Sequence, residues 1–289
     1  MSTREHDLFA SAITGSVTRL DACVQRVVAP NPSALTGPGT NTYVVGSGAQ
    51  YVVIDPGPDD PVHLERVLAA ASSGAISQIL CTHSHPDHSP GAARLREMTG
   101  APVYGRPPPD DGHQDDTYRP DHTLEEGDTF ALPGVTVRAL HTPGHASNHV
   151  CFLLDEQSWL CTGDHLMSGS TVVILPPDGS MRAYVESLHR RGHVPLQALL
   201  PGHGAVMPDP HDEIRRVIAH RLQREDKVIA AFAQSGGVAS LDTLLPVVYA
   251  DVPERLHGLA RYSLLAHVLK LEEEGRVSPV GEAWHWRDV

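Results

Sequence analysis

Hydrophobic positions in the first two thirds of the chain fall mainly into short apolar runs of strand length, separated by Gly, Pro and polar residues. These runs span residues 42–45, 51–54, 76–82, 135–140, 149–154, 159–162 and 198–200. Between the second and third runs, Asp60 and Pro61 predict the N-cap and first position of a helix over 61–71. Because the spacing of apolar residues changes repeatedly between that of strands and that of helices, we predict an α/β fold built of stacked layers.

Longer helical patterns follow Pro210. Apolar residues over 212–234 approximate a helical stripe, and 240–249 and 257–274 predict two more helices, the second ended by Gly275. Residues 276–280 and 282–286 can pair as a hairpin. Helices followed by a hairpin give the order of a winged-helix domain. We therefore predict a catalytic domain over residues 1–210 and a helical, winged-helix domain over residues 211–289.

The composition is that of a soluble globular protein, with a formal net charge of -13 that opposes non-specific attraction to nucleic acid or anionic membranes. Charged residues are spread through residues 1–30, and no run reaches transmembrane length, so we expect no signal peptide, no membrane partner and a cytoplasmic location. The four cysteines include no Cys-x-x-Cys pair and are expected to be reduced and mostly buried.

A dense cluster of metal-binding side chains follows the run at 76–82. It comprises His83, His85, Asp87 and His88. Ser89 and Pro90 predict the N-cap and first position of the next helix, which would fix one end of the cluster. Imidazoles and carboxylates suit zinc. The alternative for a short histidine cluster is a solvated loop or an adventitious metal site.

Three later residues argue for a built metal site rather than that alternative. His145, Asp164 and His203 each follow a predicted strand and a Gly-containing turn. Ligands from several strand ends can converge on one edge of a sheet, where α/β folds place their sites.

These motifs resemble the signature of the metallo-β-lactamase superfamily: an Asp after an early strand, His-x-His-x-Asp-His, and then isolated His, Asp and His. All five elements occur in order, from Asp55 to His203. The resemblance covers roughly residues 42–207. It implies an αββα metallo-β-lactamase sandwich, to which the C-terminal winged-helix domain is added.

The resemblance also implies two zinc ions held by seven residues. One ion would take His83, His85 and His145, the other Asp87, His88 and His203, and Asp164 would bridge them. Paired metals about 3.5–4 Å apart can hold and deprotonate a bridging water, which would supply a hydroxide nucleophile. Asp87 and Asp164 are the catalytic carboxylates in this hypothesis, and Asp55 orients a histidine from behind the ligands.

Other residues near the ligands are predicted to have structural or supporting roles. The histidines in this group are His141, His149 and His165, and Cys161 is expected to be buried in a strand.

Within the superfamily the chain is similar to the lactamase-β-like branch, which includes a single-stranded endoribonuclease and polyketide thioesterases. The similarity lies in residues 35–45, in 200–204 and in the winged helix. It implies a di-zinc hydrolase of a thioester, ester or phosphodiester, acting on a small molecule or on single-stranded RNA. The alternatives are a single-stranded endoribonuclease, a glyoxalase II-like thioesterase, and a non-catalytic, metal-dependent winged-helix binding protein.

The charge of the winged helix argues against duplex nucleic acid as a partner. Over residues 222–289, seven Lys and Arg face ten Asp and Glu, a balance of -3. The candidate recognition helix ends in Glu272, Glu273 and Glu274, which would repel phosphates. Packing, closure of the substrate pocket or a homodimer contact is favoured for this domain.

Overall fold

A computed structural model of the chain describes residues 8–72 and 74–287 and divides into two compact units. The first comprises Met1–Thr142, Asn148–Val172 and Pro195–His211, and the second comprises Pro143–Ser147, Val173–Val194 and Asp212–Val289. Residues 1–7 of the charged N-terminal segment lie outside the described residues.

The first unit contains a seven-stranded sheet in which the strands follow chain order. They are β1 Val17–Arg19, β2 Val24–Val28, β3 Asn41–Ser47, β4 Gln50–Ile54, β5 Ala75–Leu80, β6 Val103–Gly105 and β7 His122–Thr123. Neighbours from β1 to β4 are antiparallel, and those from β4 to β7 are parallel. Because β4 and β5 are parallel, the loops that follow them leave the same edge of the sheet.

Two helices, α1 Pro61–Ala70 and α2 Gly91–Thr99, pack on one face of this sheet. The predicted start of α1 is confirmed, since the Asp60 side chain accepts a hydrogen bond from the His63 backbone N–H. The predicted start of α2 is wrong, because the helix begins one residue after Pro90 and has no side-chain cap. Ser89 instead donates its hydroxyl hydrogen to Asp115 at 2.7 Å, and a carboxylate is the stronger acceptor.

The second sheet of this unit has five strands in the order β12-β11-β10-β9-β8. They are β8 Thr129–Leu132, β9 Val135–His141, β10 Val150–Leu154, β11 Trp159–Gly163 and β12 Ala198–Pro201. Only β11 and β12 pair in parallel. All seven predicted strands are present in the two sheets, with ends shifted by at most two residues.

The two sheets share one apolar core. Val45 and Val52 from the first sheet pack with Phe152 and Leu200 from the second. The opposite face of the first sheet buries residues such as Ile79 against α1 and α2. The first unit is therefore layered as helices, sheet and sheet, as expected for a chain of short apolar strands.

The second unit is mainly helical and ends in a small sheet. Its elements are α3 Met181–Arg191, α4 Pro210–Gln234, β13 Val238–Ser240, α5 Leu241–Val248, a 3₁₀ turn Glu254–Leu256, α6 His257–Glu273, β14 Val277–Val280 and β15 Ala283–Trp286. The unit as bounded above includes α4 from Asp212 onward. The hairpin of β14 and β15 is confirmed, and β13 adds a third strand beside β15. Phe232, Leu244 and Leu264 lie in the apolar core of the second unit.

Two expectations from composition can be compared with the structure. The four cysteines form no disulfide, and Cys81, Cys151 and Cys161 are buried, as predicted. Over residues 8–72 and 74–287, no helix combines the length and apolar character needed to cross a bilayer.

Candidate metal centre

Six of the predicted ligands lie in loops that leave the carboxyl ends of strands in the first unit. His83, His85, Asp87 and His88 follow β5, whereas Asp164 follows β11 and His203 follows β12. The parallel pairing of β11 with β12 sends the last two loops out at one sheet edge. The expected convergence from strand ends is observed for these six residues, but they come from both sheets rather than from one edge of a single sheet.

The carboxylate of Asp164 faces two imidazoles at once. Its Oδ1 atom lies 3.4 Å from Nε2 of His88 and 3.3 Å from Nε2 of His203. Oδ2 of Asp87 approaches the same nitrogen of His203 to 3.2 Å and that of His88 to 3.6 Å. Two carboxylates and two imidazoles therefore direct their donor atoms toward one small volume.

His83 connects this cluster to His85, the second histidine of the His-x-His motif. The ligand atoms of His83, His88 and Asp164 lie within 4.8 Å of one another, as do those of Asp87, His88 and His203. Nε2 of His83 also lies 2.9 Å from Nδ1 of His85. The two groups share His88 and therefore form one continuous cluster of possible metal ligands.

Asp55 supports two of these histidines from behind. It accepts hydrogen bonds from the backbone N–H of Thr82 at 2.7 Å and from the Thr82 hydroxyl at 2.8 Å, and its Oδ2 lies 2.9 Å from Nδ1 of His88. Because the Thr82 hydroxyl donates to Asp55, its oxygen accepts from Nδ1 of His83, 2.9 Å away. Both histidines then carry the proton on Nδ1 and present a lone pair on Nε2 to the cluster.

The loop that carries His203 is pinned by β3. The side-chain amide of Asn41 donates to the carbonyl oxygens of Pro201 and Gly204, each at 2.9 Å. Nδ1 of His203 lies 3.4 Å from the carbonyl oxygen of Gly39. That contact leaves Nε2 of His203 facing the two carboxylates.

Close packing explains the glycine of the Pro-Gly-His motif. A Cβ atom at Gly202 would lie 2.8 Å from Cε1 of His88 and 2.9 Å from Oδ1 of Asp164. Any side chain there would displace the donor atoms, so glycine allows the loop to approach them.

The electrostatics of the cluster favour added positive charge. Burial lowers the pKa of His88, but the carboxylates of Asp87, Asp164 and Asp55 outweigh it and hold this pKa well above its ordinary value. The pKa of His203 is also raised, because Asp164 and Asp87 outweigh its burial. Nε2 of His88 is buried and makes no hydrogen bond within the described part of the chain. A divalent ion fits these nitrogen and oxygen donors and would replace the protons they attract.

The sequence also singles out His145, His149, His165 and Cys161, which are close in sequence to the ligands described above. His145 lies on the segment Pro143–Ser147, which belongs to the second unit, and its Nδ1 is 2.8 Å from the carbonyl oxygen of Val173. That contact leaves Nε2 of His145 as its metal-binding atom, but its place as the third ligand of one ion stays a prediction. Cys161 is buried in β11, as expected, and His149 and His165 are also buried.

Sequence reasoning missed Thr82. A threonine beside a histidine carries no signal of its own, and its role depends on the pairing of β4 with β5, which brings Asp55 next to it.

Comparison with known proteins agrees with this geometry. Residues 35–203 match the model of the metallo-beta-lactamase superfamily, and residues 240–284 match that of the beta-lactamase associated winged helix domain. The chain is 34% identical over 282 residues to a "Beta-lactamase-like protein 2 homolog" of Drosophila melanogaster, covering 92% of this chain and 93% of that protein. It is also 34% identical over 275 residues to an "Atrochrysone carboxyl ACP thioesterase" of Aspergillus chevalieri, covering 91% and 85%.

A solved structure supports the fold. A metallo-beta-lactamase family protein from Thermus thermophilus superposes with a TM-score of 0.75 at 22% identity, covering 93% of this chain and 100% of that one. The predicted fold class and the predicted winged helix are both confirmed. The chain belongs to the metallo-β-lactamase superfamily.

Proposed function

We propose that this superfamily hydrolase uses two zinc-class ions to cleave a thioester. The observation that carries the metal chemistry is the position of Asp164, whose ligand atom lies within 4.8 Å of those of His83 and His88, two histidines assigned to different ions. The choice of a thioester is supported by the relative described as an acyl carrier protein thioesterase, which matches 91% of this chain.

The proposed ligands divide between two ions. His83, His85 and His145 would hold one, Asp87, His88 and His203 would hold the other, and Asp164 would bridge them. When bound, such ions lower the pKa of water to near neutrality and polarise a carbonyl oxygen. The chain's own contribution is to hold the donor atoms: Asp55 and Thr82 fix His83 and His88, as their hydrogen bonds indicate.

The same arrangement would let an acidic protein bind an anionic substrate. Two divalent ions bring four positive charges, whereas Asp87 and Asp164 bring two negative charges. The site would therefore be locally cationic within a chain whose formal net charge is -13. This field would attract a carboxylate or phosphate on the substrate.

We also propose a cytoplasmic location, supported by four cysteines that form no disulfide. For the winged helix we propose a packing, pocket-closing or homodimer role rather than duplex binding, since its balance of charged residues is negative.

A substrate panel tests the proposed reaction. The metal-loaded protein would be assayed on an acyl-pantetheine thioester, the matched oxyester, a lactone, a phosphodiester and single-stranded RNA. We expect thioester cleavage, followed as released thiol, to be fastest and to be lost in Asp164→Asn. Asp59→Asn, which alters an exposed carboxylate paired with Arg94, serves as the matched control and should retain activity. Cleavage of RNA or phosphodiester without thioester turnover would show that the substrate class is wrong.

A further inference from the structure

His149 lies beneath the Asp164 loop and is fully buried. The backbone N–H of Asp164 donates a hydrogen bond to Nε2 of His149, with a nitrogen-to-nitrogen distance of 3.2 Å. The residue therefore contacts the main chain of the predicted bridging ligand.

This contact fixes the tautomer of His149. A backbone N–H can only donate, so Nε2 must present a lone pair and the neutral ring must carry its proton on Nδ1. That proton points to the hydroxyl oxygen of Thr142, 2.8 Å away. The Thr142 hydroxyl donates to Sγ of Cys151 at 3.3 Å, and the thiol donates to the carbonyl oxygen of Thr162 at 3.5 Å. The hydrogen-bond chain thus returns to the strand that ends just before Asp164.

The ring of His149 also packs against a second predicted ligand, His83. Its centroid lies 5.0 Å from that of His83, with 33° between the ring planes. A displacement of His149 would consequently disturb both Asp164 and His83.

Gly163 shows how tightly this backbone is enclosed. Its φ of 47° lies in the left-handed region, and a Cβ atom there would sit 2.6 Å from Oγ1 of Thr82 and 2.7 Å from Nε2 of His149. The main chain before Asp164 is therefore held between two supports. Thr82, bonded to Asp55, forms one, and His149 forms the other.

We propose that His149 is a positioning residue, which holds the main chain of Asp164 so that its carboxylate can face both metal positions. The proposal rests on the metal centre of the proposed function. It assigns His149 a role in metal affinity through a hydrogen bond, with no direct coordination.

The test compares two substitutions at this position in the full-length protein. His149→Leu removes the acceptor, whereas His149→Gln can place an amide oxygen near the position of Nε2. Zinc affinity would be measured by competition with a chromophoric chelator, and ligand geometry by the visible spectrum of the cobalt-substituted protein. We expect His149→Leu to bind zinc about 10- to 100-fold more weakly, with an altered cobalt spectrum. His149→Gln should recover part of both properties.

A buried histidine of the same unit provides the control. His63 is fully buried and bonded to Thr42, so His63→Gln should lower stability without changing zinc affinity. If His149→Leu fails to fold, Thr142→Val provides the test. This variant removes the acceptor of the Nδ1 proton, so the ring of His149 is no longer held in one tautomer and zinc binding should weaken several-fold.

The outcomes separate this inference from the proposed function. Folded His149→Leu with unchanged zinc affinity and cobalt spectrum would overturn the inference alone, as would unchanged affinity in Thr142→Val if the leucine variant does not fold. A wild-type protein that binds fewer than two ions would contradict the proposed function and this inference together. Wild-type protein that binds two ions but cleaves no thioester would contradict only the substrate, and the affinity comparison would still decide the role of His149.

Discussion

Nδ1 of His88 lies 2.9 Å from Oδ2 of Asp55, and both side chains are buried. The carboxylate can only accept a hydrogen bond when ionised, so it holds the His88 proton on Nδ1 and leaves Nε2 for a metal. Asp55 itself has a φ of 50°, an uncommon conformation for a residue with a Cβ atom. Strained residues of this kind cluster at functional sites, which agrees with a supporting role at the metal centre.

Asp55→Asn should weaken metal binding without removing a ligand. The new amide can turn its NH₂ group toward Nδ1 of His88, which would favour the tautomer protonated on Nε2. We expect zinc affinity to fall about 10- to 100-fold, measured by chelator competition. Asp59→Asn is the control, since Asp59 is exposed and pairs with Arg94. Wild-type affinity in Asp55→Asn would contradict the supporting role.

Asp164→Asn should abolish most of the activity while the fold survives. The amide is a weaker bridging ligand, and the metal contribution to catalysis is worth several kcal/mol, so we expect a loss of about 100-fold or more in kcat. The apolar core between the two sheets does not include this side chain. Steady-state kinetics and near-ultraviolet circular dichroism measure the two effects. An unfolded variant would assign Asp164 a structural role instead.

His63 should make the first unit sensitive to acid. Its burial lowers the pKa to about 4 from an ordinary value of 6.5, despite the nearby Asp60 carboxylate. The unfolded chain therefore gains a proton as the pH falls below 6.5, whereas the folded chain does not until about pH 4, so stability falls across this window. We expect about 2 kcal/mol of the free energy of unfolding to be lost between pH 7.5 and 5.

Urea unfolding at several pH values measures this effect. His63→Gln should show a shallower pH dependence, and His189→Gln, which alters an exposed histidine, should retain the wild-type slope. Equal slopes in all three proteins would show that His63 is not the titrating group.

The second unit contains a buried ion pair whose disruption should be costly. Nζ of Lys270 lies 2.8 Å from Oε1 of Glu225, and the two side chains are only 10% and 8% exposed. Lys270→Met leaves the Glu225 carboxylate buried without this partner, so we expect a loss of about 3 kcal/mol in the stability of this unit. The double variant Lys270→Met with Glu225→Leu should recover much of that loss.

Tryptophan fluorescence can follow this unit during urea unfolding in a Trp159→Phe background, because Trp284 and Trp286 lie in β15 whereas Trp159 lies in β11 of the first unit. A single variant as stable as the wild type would show that the pair contributes nothing. A double variant less stable than the single one would show that Glu225 has another stabilising role.

Much of the architecture was predictable because local chemistry and tertiary packing agree. Asp60 and Pro61 predict the start of α1, and the apolar runs coincide with the buried strands. The metal motif was predictable because three histidines and an aspartate lie within six positions directly after a strand. The order of elements in the second unit was predictable from the helical spacing of its apolar residues and from Gly275, which follows the last helix.

The rest depended on contacts that are distant in sequence. Ser89 has the composition of an N-cap, but folding places Asp115 within 2.7 Å of its hydroxyl. The three-residue strand β13 forms only because β15 lies beside it. The role of His149 likewise emerges only when Asp164 is brought to its ring.

Helix α3 is different, because its signal was present in the sequence. Its apolar residues Met181, Tyr184, Val185 and Leu188 have helical spacing and are buried, and Ser180 caps the helix. The stripe is short and follows a segment rich in Gly and Pro, which obscured it.

Titration of the metal-free protein with zinc, while thiol release from an acyl-pantetheine thioester is followed, measures how many ions the reaction requires. We expect activity to rise with added zinc and to reach its plateau at two ions per chain, since the ligand atom of Asp164 lies within 4.8 Å of those of His83 and His88, which are assigned to different ions. A plateau at one ion per chain, or full activity without added metal, would contradict the proposed two-ion site.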